Sequence, residues 1–196
     1  REKFMAEIAS VEDAVNRARV ITHRLLGFAR RMDVPFQPVQ VNDVLREVIG
    51  FLDKEALYRG IHIELELEPV LPPIESDTGQ LQQVFLNIVN NAIDAVERGG
   101  RIQITTRLVE GPLVVIDVRD DGPGMPPEVL KKIFEPFFTT KKGTERHGTG
   151  LGLSITYGLV KKLGGQIGVQ SAVGSGTVFR VTFPLAAEEA EAVGQG

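Results

Sequence analysis

The chain of 196 residues has no cysteine and no tryptophan, two tyrosines and only three histidines. Without cysteine there are no disulfides, no thiol nucleophile and no cysteine-ligated zinc or iron–sulfur centre. His23, His62 and His147 are scattered along the sequence, which argues against a metal site built from histidine. No apolar run approaches the ~18 residues that a membrane-spanning helix requires. An excess of positive charge is missing too. Lys and Arg number 22 against 26 Asp and Glu, a net charge of −4, so no nucleic-acid partner is expected. There is no initiator Met and no signal-peptide pattern, and the chain is expected to be a fragment of something longer. What is present is ordinary for a soluble globular chain: 42% hydrophobic and 24% charged residues.

The first segment is the most regular. Phe4, Val11, Ala18, Leu25 and Met32 recur every seven residues, and Ile8, Val15, Thr22 and Ala29 interleave with them. These are the a and d positions of a heptad seam. A lone helix cannot bury such a stripe, and the chain offers no second heptad segment, so the partner has to come from another copy or from upstream sequence. Residues 33–40 carry Pro35 and Pro38 and read as a linker.

The following stretch reads as one α/β unit. Asn42 is expected to cap a helix running to about Tyr58. Ile61, Ile63, Leu65 and Leu67 alternate with His62, Glu64 and Glu66, the pattern of a half-buried strand with His62 outward. Asp77 can cap a long helix over about 78–98, ended by Gly99-Gly100. Strands are expected at about 102–108, 113–119, 166–171 and 177–183, with a helix at about 152–163. Residues 121–151 look mostly like loop, and the tail from 185 to 196 is expected to be frayed. The expected architecture is an α+β two-layer sandwich. A mixed sheet of about five strands carries helices on one face, and a long amphipathic helix precedes it.

Three segments carry candidate chemistry. On the long helix Gln80, Gln83, Asn87, Asn91, Asp94 and Arg98 share one face, opposite Leu81, Val84, Phe85, Ile88, Val89, Ala92 and Ile93. The polar stripe is equally readable as a solvated face. However, Asn87, Asn90 and Asn91 sit mid-helix, where each asparagine costs roughly half a kcal/mol relative to alanine. Amide oxygens on one face are suitable hard ligands for magnesium. Asp120-Asp121-Gly122-Pro123-Gly124 follows a strand, and its carboxylate could accept from an exocyclic amine such as adenine's; a plain glycine turn fits the same residues. Gly148-Thr149-Gly150-Leu151-Gly152-Leu153 opens a helix, where bare N–H groups can face an anion. It is neither a P-loop nor a dinucleotide fingerprint. Between these lies Phe134-Glu135-Pro136-Phe137-Phe138-Thr139-Thr140-Lys141-Lys142, and later comes the turn Gly174-Ser175-Gly176-Thr177.

Taken together and in this order, these motifs resemble the histidine protein kinases. Asn87 to Ala95 looks like the family's asparagine box. Asp120 to Gly124 resembles its first glycine box, Phe134 to Lys141 its phenylalanine box, Gly148 to Leu153 its second glycine box and Gly174 to Thr177 its third glycine turn. The match covers about 40–184. Residues 1–32, notably Ala18-Arg19 and Leu25-Leu26-Gly27-Phe28-Ala29-Arg30, look like the second helix of the family's dimerisation and phosphotransfer hairpin, and nitrogen-regulation-type sensor kinases are the nearest in look. The resemblance implies a partial hairpin at 1–32, a linker at 33–40 and an ATP-binding catalytic domain at 41–184.

It also implies roles. Asp120 would bind the adenine amino group, with Gly122 and Gly124 shaping the pocket and Thr177 nearby through water. Asn91 would ligand magnesium and Asn87 would support the phosphates, these two being the catalytic pair, with Asp94 beside them. Residues from about 125 to 147 would form a lid, with Lys141 a phosphate contact. The amides around Gly148, Thr149, Gly150, Leu151, Gly152 and Leu153 would cradle the phosphates. ATP and Mg2+ are the implied cofactors. The implied partners are a response-regulator receiver domain and a second copy of the parent through its hairpin helices. The implied location is cytoplasmic, with any membrane anchor upstream in the parent. His23 falls in the second-helix pattern, so the phospho-accepting histidine is not expected among these residues. ATPases of the same fold resemble the chain in the asparagine and glycine boxes, but they place a glutamate where this chain has Asn87. A dimerisation module with a degenerate nucleotide site is the other alternative.

Overall fold

The computed structural model describes residues 36–96, 99–109, 111–140 and 149–185. The heptad segment, Arg98, Lys141, His147, Gly148 and the tail from 186 lie outside the described residues. The elements run in the order β1 (Gln37–Val39), α1 (Val41–Tyr58), β2 (His62–Leu67), β3 (Ile74–Ser76), α2 (Thr78–Ala95), β4 (Arg101–Val109), β5 (Leu113–Asp120), α3 (Pro127–Leu130), α4 (Gly152–Lys162), β6 (Gln166–Ser171) and β7 (Thr177–Pro184).

Five strands form one mixed sheet in the order β2-β4-β5-β7-β6. β2 and β4 are parallel, and the other three pairings are antiparallel. The parallel pair follows from the connection, because the chain leaves β2, crosses over through α2 and re-enters beside it. Strand alternation sends Ile102, Ile104, Val114, Ile116, Val118, Phe179, Val181 and Phe183 into the buried layer. α2 meets them with the seven apolar residues read from its sequence, Leu81, Val84, Phe85, Ile88, Val89, Ala92 and Ile93, all buried. α1 adds Val41, Val44, Leu45, Val48, Leu52 and Ala56. α2 packs between α1 and α4 as well as on the sheet, so one helix holds the layer together.

The other face of the sheet is polar. Asp117 of β5 accepts from Arg107 of β4 at 2.9 Å and from Arg180 of β7 at 2.7 and 2.8 Å. Burial pushes the Asp117 carboxyl up, but the hydrogen bonds and charges of Arg180 and Arg107 outweigh it and hold it below the ordinary 3.8. His62 is exposed, as its alternation predicts. Among the described residues no helix is long and apolar enough to cross a membrane.

Asp77 does cap α2: its carboxylate accepts from the Gln80 N–H at 2.9 Å. Asn42 does not cap α1. The helix begins one residue earlier, at Val41, with Gln40 at the cap position and no side-chain bond there. The Asn42 carboxamide turns inward instead. It donates to the Glu68 carbonyl at 2.8 Å and accepts from the Thr106 hydroxyl at 2.9 Å, and Thr106 accepts in turn from the Glu68 N–H at 2.9 Å. A buried amide is held where it has the most partners, and that closed ring offers more than a cap. Three further boundaries differ. Residues 37–39, inside the expected linker, form β1 and pair antiparallel with β3. α2 ends at Ala95, where Val96 turns extended, so its last residues fall short of 98. The 121–151 loop contains the single turn α3, started by Pro127.

Phe85 is completely buried where α2 meets the sheet. Phe85→Ala is expected to lower unfolding free energy by about 3–5 kcal/mol, read from urea denaturation of the intact chain. A loss below ~1 kcal/mol would mean that α2 does not organise this core.

Candidate functional site

Asp120 is the last residue of β5 and is 2% exposed. Strand alternation puts it on the helix side, in register with Thr177 at the start of β7. Its carboxylate accepts from the main-chain N–H groups of Gly122, at 3.0 Å, and Thr177. Burial raises its pKa above the ordinary 3.8; the N–H groups of Gly122 and Thr177 pull it back, and the neighbouring Asp121 charge adds to the rise.

Two glycine turns close over this carboxylate. The Gly174 N–H donates to the Pro123 carbonyl at 2.7 Å. The Ser171 hydroxyl accepts from the Met125 N–H at 2.8 Å, donates to the Gly176 carbonyl at 2.9 Å and lies 3.1 Å from the Thr177 hydroxyl. Gly124 and Gly176 both have positive φ, 68° and 76°. A Cβ on Gly124 would run into the Ala172 carbonyl, and one on Gly176 into the Asp120 carbonyl. Only glycine permits this backbone approach. The structure therefore brings Asp120, Gly122, Gly124 and Thr177 together, and Gly122 also lies against the Ala95 carbonyl at the end of α2.

Along α2, Gln80, Gln83, Asn87 and Asn91 are half-buried and Asp94 is exposed. Asn87 reaches α4, its amide nitrogen 3.3 Å from the Gly152 carbonyl and 3.2 Å from the Thr156 hydroxyl. At the far end of the stripe Asp94 accepts from Arg59 at 3.3 Å. Arg59 also donates to Glu55 at 2.7 Å and to the Ile93 carbonyl at 2.9 Å. No side chain caps the start of α4, whose N-cap is Leu151. Gly150 lies against the backbone of Phe137, a 74% exposed side chain at φ 66°. Thr149, Leu151, Gly152 and Leu153 are thus at the uncapped helix start, while Lys141 and Gly148 fall outside the described residues.

Three contributors have no motif signal: Arg59, Thr156 and Ser171. Thr156 reads as an ordinary residue on the second turn of a helix, and its complete burial is the only mark that sets it apart. A cavity of about 410 Å³ adjoins Asp120 and is lined also by Gly99, Arg101, Gln103, Arg119 and Asp121. Arg101, Gln103 and Arg119 belong to the face away from the helices, and none of the asparagine stripe lines it.

The arrangement fits a nucleotide with a magnesium ion. A buried acceptor sits under bare glycine backbone, uncapped N–H groups begin α4, and amide oxygens lie on the stripe between. The family of histidine kinase-, DNA gyrase B-, and HSP90-like ATPases matches over residues 76–187. The chain belongs to that family. Among relatives, the sensor kinase CckA of Brucella abortus is 38% identical over 200 residues, covering 95% of this chain and 21% of CckA. The solved catalytic domain of histidine kinase ThkA superposes with a TM-score of 0.68 at 34% identity, over 79% of this chain and 98% of that domain. ThkA in complex with the response regulator TrrA gives 0.72 at 29% identity, over 90% of this chain and 50% of that one. Full-length ShkA in complex with AMPPNP gives 0.69 at 34% identity, over 77% of this chain and 31% of ShkA.

The raised Asp120 pKa has a measurable consequence. The folded protein holds this proton more tightly than the unfolded chain does. The contribution of Asp120 to stability is therefore most favourable below pH 3.8 and declines as pH climbs to the raised value. Asp120→Asn is expected to remove that component of the slope in urea denaturation across the acid range. Parallel pH profiles for the two proteins would contradict the assignment.

Proposed function

We propose that the chain is the ATP-binding part of a sensor histidine kinase, transferring the γ-phosphoryl group of ATP to a histidine on a hairpin helix of the longer protein. The relay then passes to an aspartate of a response-regulator receiver domain. In this reading residues 1–32 are the second hairpin helix, through which two parent chains dimerise. Residues 33–40 lead into the catalytic domain, and the domain works on the cytoplasmic side, where ATP and the receiver domain are.

Each residue has a physical task. Asp120 accepts from the adenine amino group and would oppose guanine's carbonyl oxygen at the same place. Gly122 and Gly124 let backbone approach the flat base, and Thr177 is adjacent for a water-mediated contact. The N–H groups at Gly150, Gly152 and Leu153 face the phosphates at the positive end of α4, beside that of Leu151, which donates to the Thr149 hydroxyl at 3.4 Å. Gly148 and Lys141 extend that cradle by resemblance. Asn91 holds magnesium, Asn87 stands one turn away, and Asp94 closes the stripe. Magnesium supplies charge neutralisation at the β- and γ-phosphates. The histidine ring nitrogen forms the new P–N bond as the bond to ADP breaks.

The observation that carries the reading is Asn87 at the position where the ATPases of this fold keep a glutamate. An amide cannot take a proton from an attacking water, so hydrolysis lacks a base there. A histidine nucleophile with a free ring lone pair needs none.

The test mixes the chain and labelled Mg·ATP with an Asp120→Asn form of a longer polypeptide carrying the first hairpin helix. Acid-labile label on the longer chain is the expected result. Steady phosphate release without label would support the ATPase alternative, and neither label nor turnover would support a binding module.

A further inference from the structure

We infer that Thr156 is a positioning residue that fixes which atom of the Asn87 amide is presented to the site. The inference rests on the nucleotide-site reading above and deepens it. Thr156 is completely buried in α4. A buried hydroxyl has to spend its hydrogen, and Thr156 donates it to the Gly152 carbonyl at 2.9 Å. With that hydrogen committed, its oxygen can only accept. The Gly152 carbonyl can only accept as well. Both acceptors are within reach of one atom of Asn87, the amide nitrogen, at 3.2 and 3.3 Å.

The two acceptors lie only 2.9 Å apart and so stand in nearly one direction from the nitrogen, which means that one N–H points between them and is shared while the other diverges from both. Turning the amide over would set its oxygen against two acceptors, and the chemistry of the partners therefore dictates the orientation. The Asn87 oxygen is thereby turned away from these two acceptors. Among the described residues it accepts no hydrogen bond, and it is not sealed from solvent. It stands one helical turn from Asn91. An oxygen there attracts a cation or a water hydrogen and repels a phosphate oxygen. Through that oxygen Asn87 supports the phosphates by way of what lies between. The same pair of bonds ties the first turn of α4 to α2. A residue outside the recognisable motifs sets the polarity of one inside them.

The test reads the side-chain NH2 of Asn87 by NMR hydrogen exchange in nucleotide-free protein, its resonances assigned by their loss in Asn87→Ala. The proton shared by the two acceptors is expected to exchange slowly in the native chain and in Thr156→Ser, which keeps the hydroxyl. In Thr156→Val, which keeps the shape and loses the acceptor, that proton should exchange roughly tenfold faster. ATP affinity in the presence of Mg2+ should fall about fivefold in Thr156→Val and recover in Thr156→Ser, with metal-free affinity unchanged. Fast exchange of both protons in the native chain would overturn the inference, whether or not Thr156→Val folds. So would equal protection in Thr156→Val, or equal losses of affinity with and without metal. If the native chain binds no nucleotide, the site reading fails, while the exchange result still decides the amide's orientation.

Discussion

A carboxylate with almost no access to water sits at the end of the central strand β5, and much of the site is arranged around keeping it there. Burying Asp120 costs free energy, and its raised pKa records that cost. The main-chain N–H groups of Gly122 and Thr177 offset part of it. To supply them, the chain after β5 has to fold back at once, and the β6–β7 turn has to press against it. That contact requires glycine at 124 and 176 and draws Ser171 in as the link between the two turns. A carboxylate retained at such expense, under two glycine turns, is what a site selective for an amino group needs.

α2 does two jobs with two faces. Its apolar side is the keystone of the core, and its polar side carries the asparagines. The two are coupled, because the seven buried residues fix the rotation of the helix and thereby aim the stripe. Contacts at both flanks then refine it. Arg59 holds the last turn through the Ile93 carbonyl and Asp94, and α4 holds the middle through Gly152 and Thr156. Core packing sets the coarse geometry of the site, and a few side-chain bonds set which atoms it shows.

Periodicity and caps were legible because they are local. The Asp77 cap, the two faces of α2 and the glycine turns before β6 and β7 all follow from residues a few positions apart, whereas the alternation of β2 placed the strand but not its burial, since Leu65 is exposed on this edge strand. The five boxes in order made the family legible as well. What escaped depends on distant partners. Asn42 looks like a cap until Thr106 of β4 and Glu68, just past the end of β2, arrive with better hydrogen bonds. The pairing of β1 with β3 joins three-residue segments too short to show alternation. Ser171 and Thr156 look like ordinary residues of a strand and a helix. Their roles exist only once two turns, or two helices, lie side by side.

The central claim is that this site selects adenine through Asp120. The most direct measurement is calorimetric titration of the intact chain, and of Asp120→Asn, with Mg·ATP and with Mg·GTP. The account predicts that the native chain binds ATP at least about tenfold more tightly than GTP, and that Asp120→Asn loses the difference while remaining folded. Equal binding of the two nucleotides by the native chain, or a preference for ATP that survives in Asp120→Asn, would contradict it.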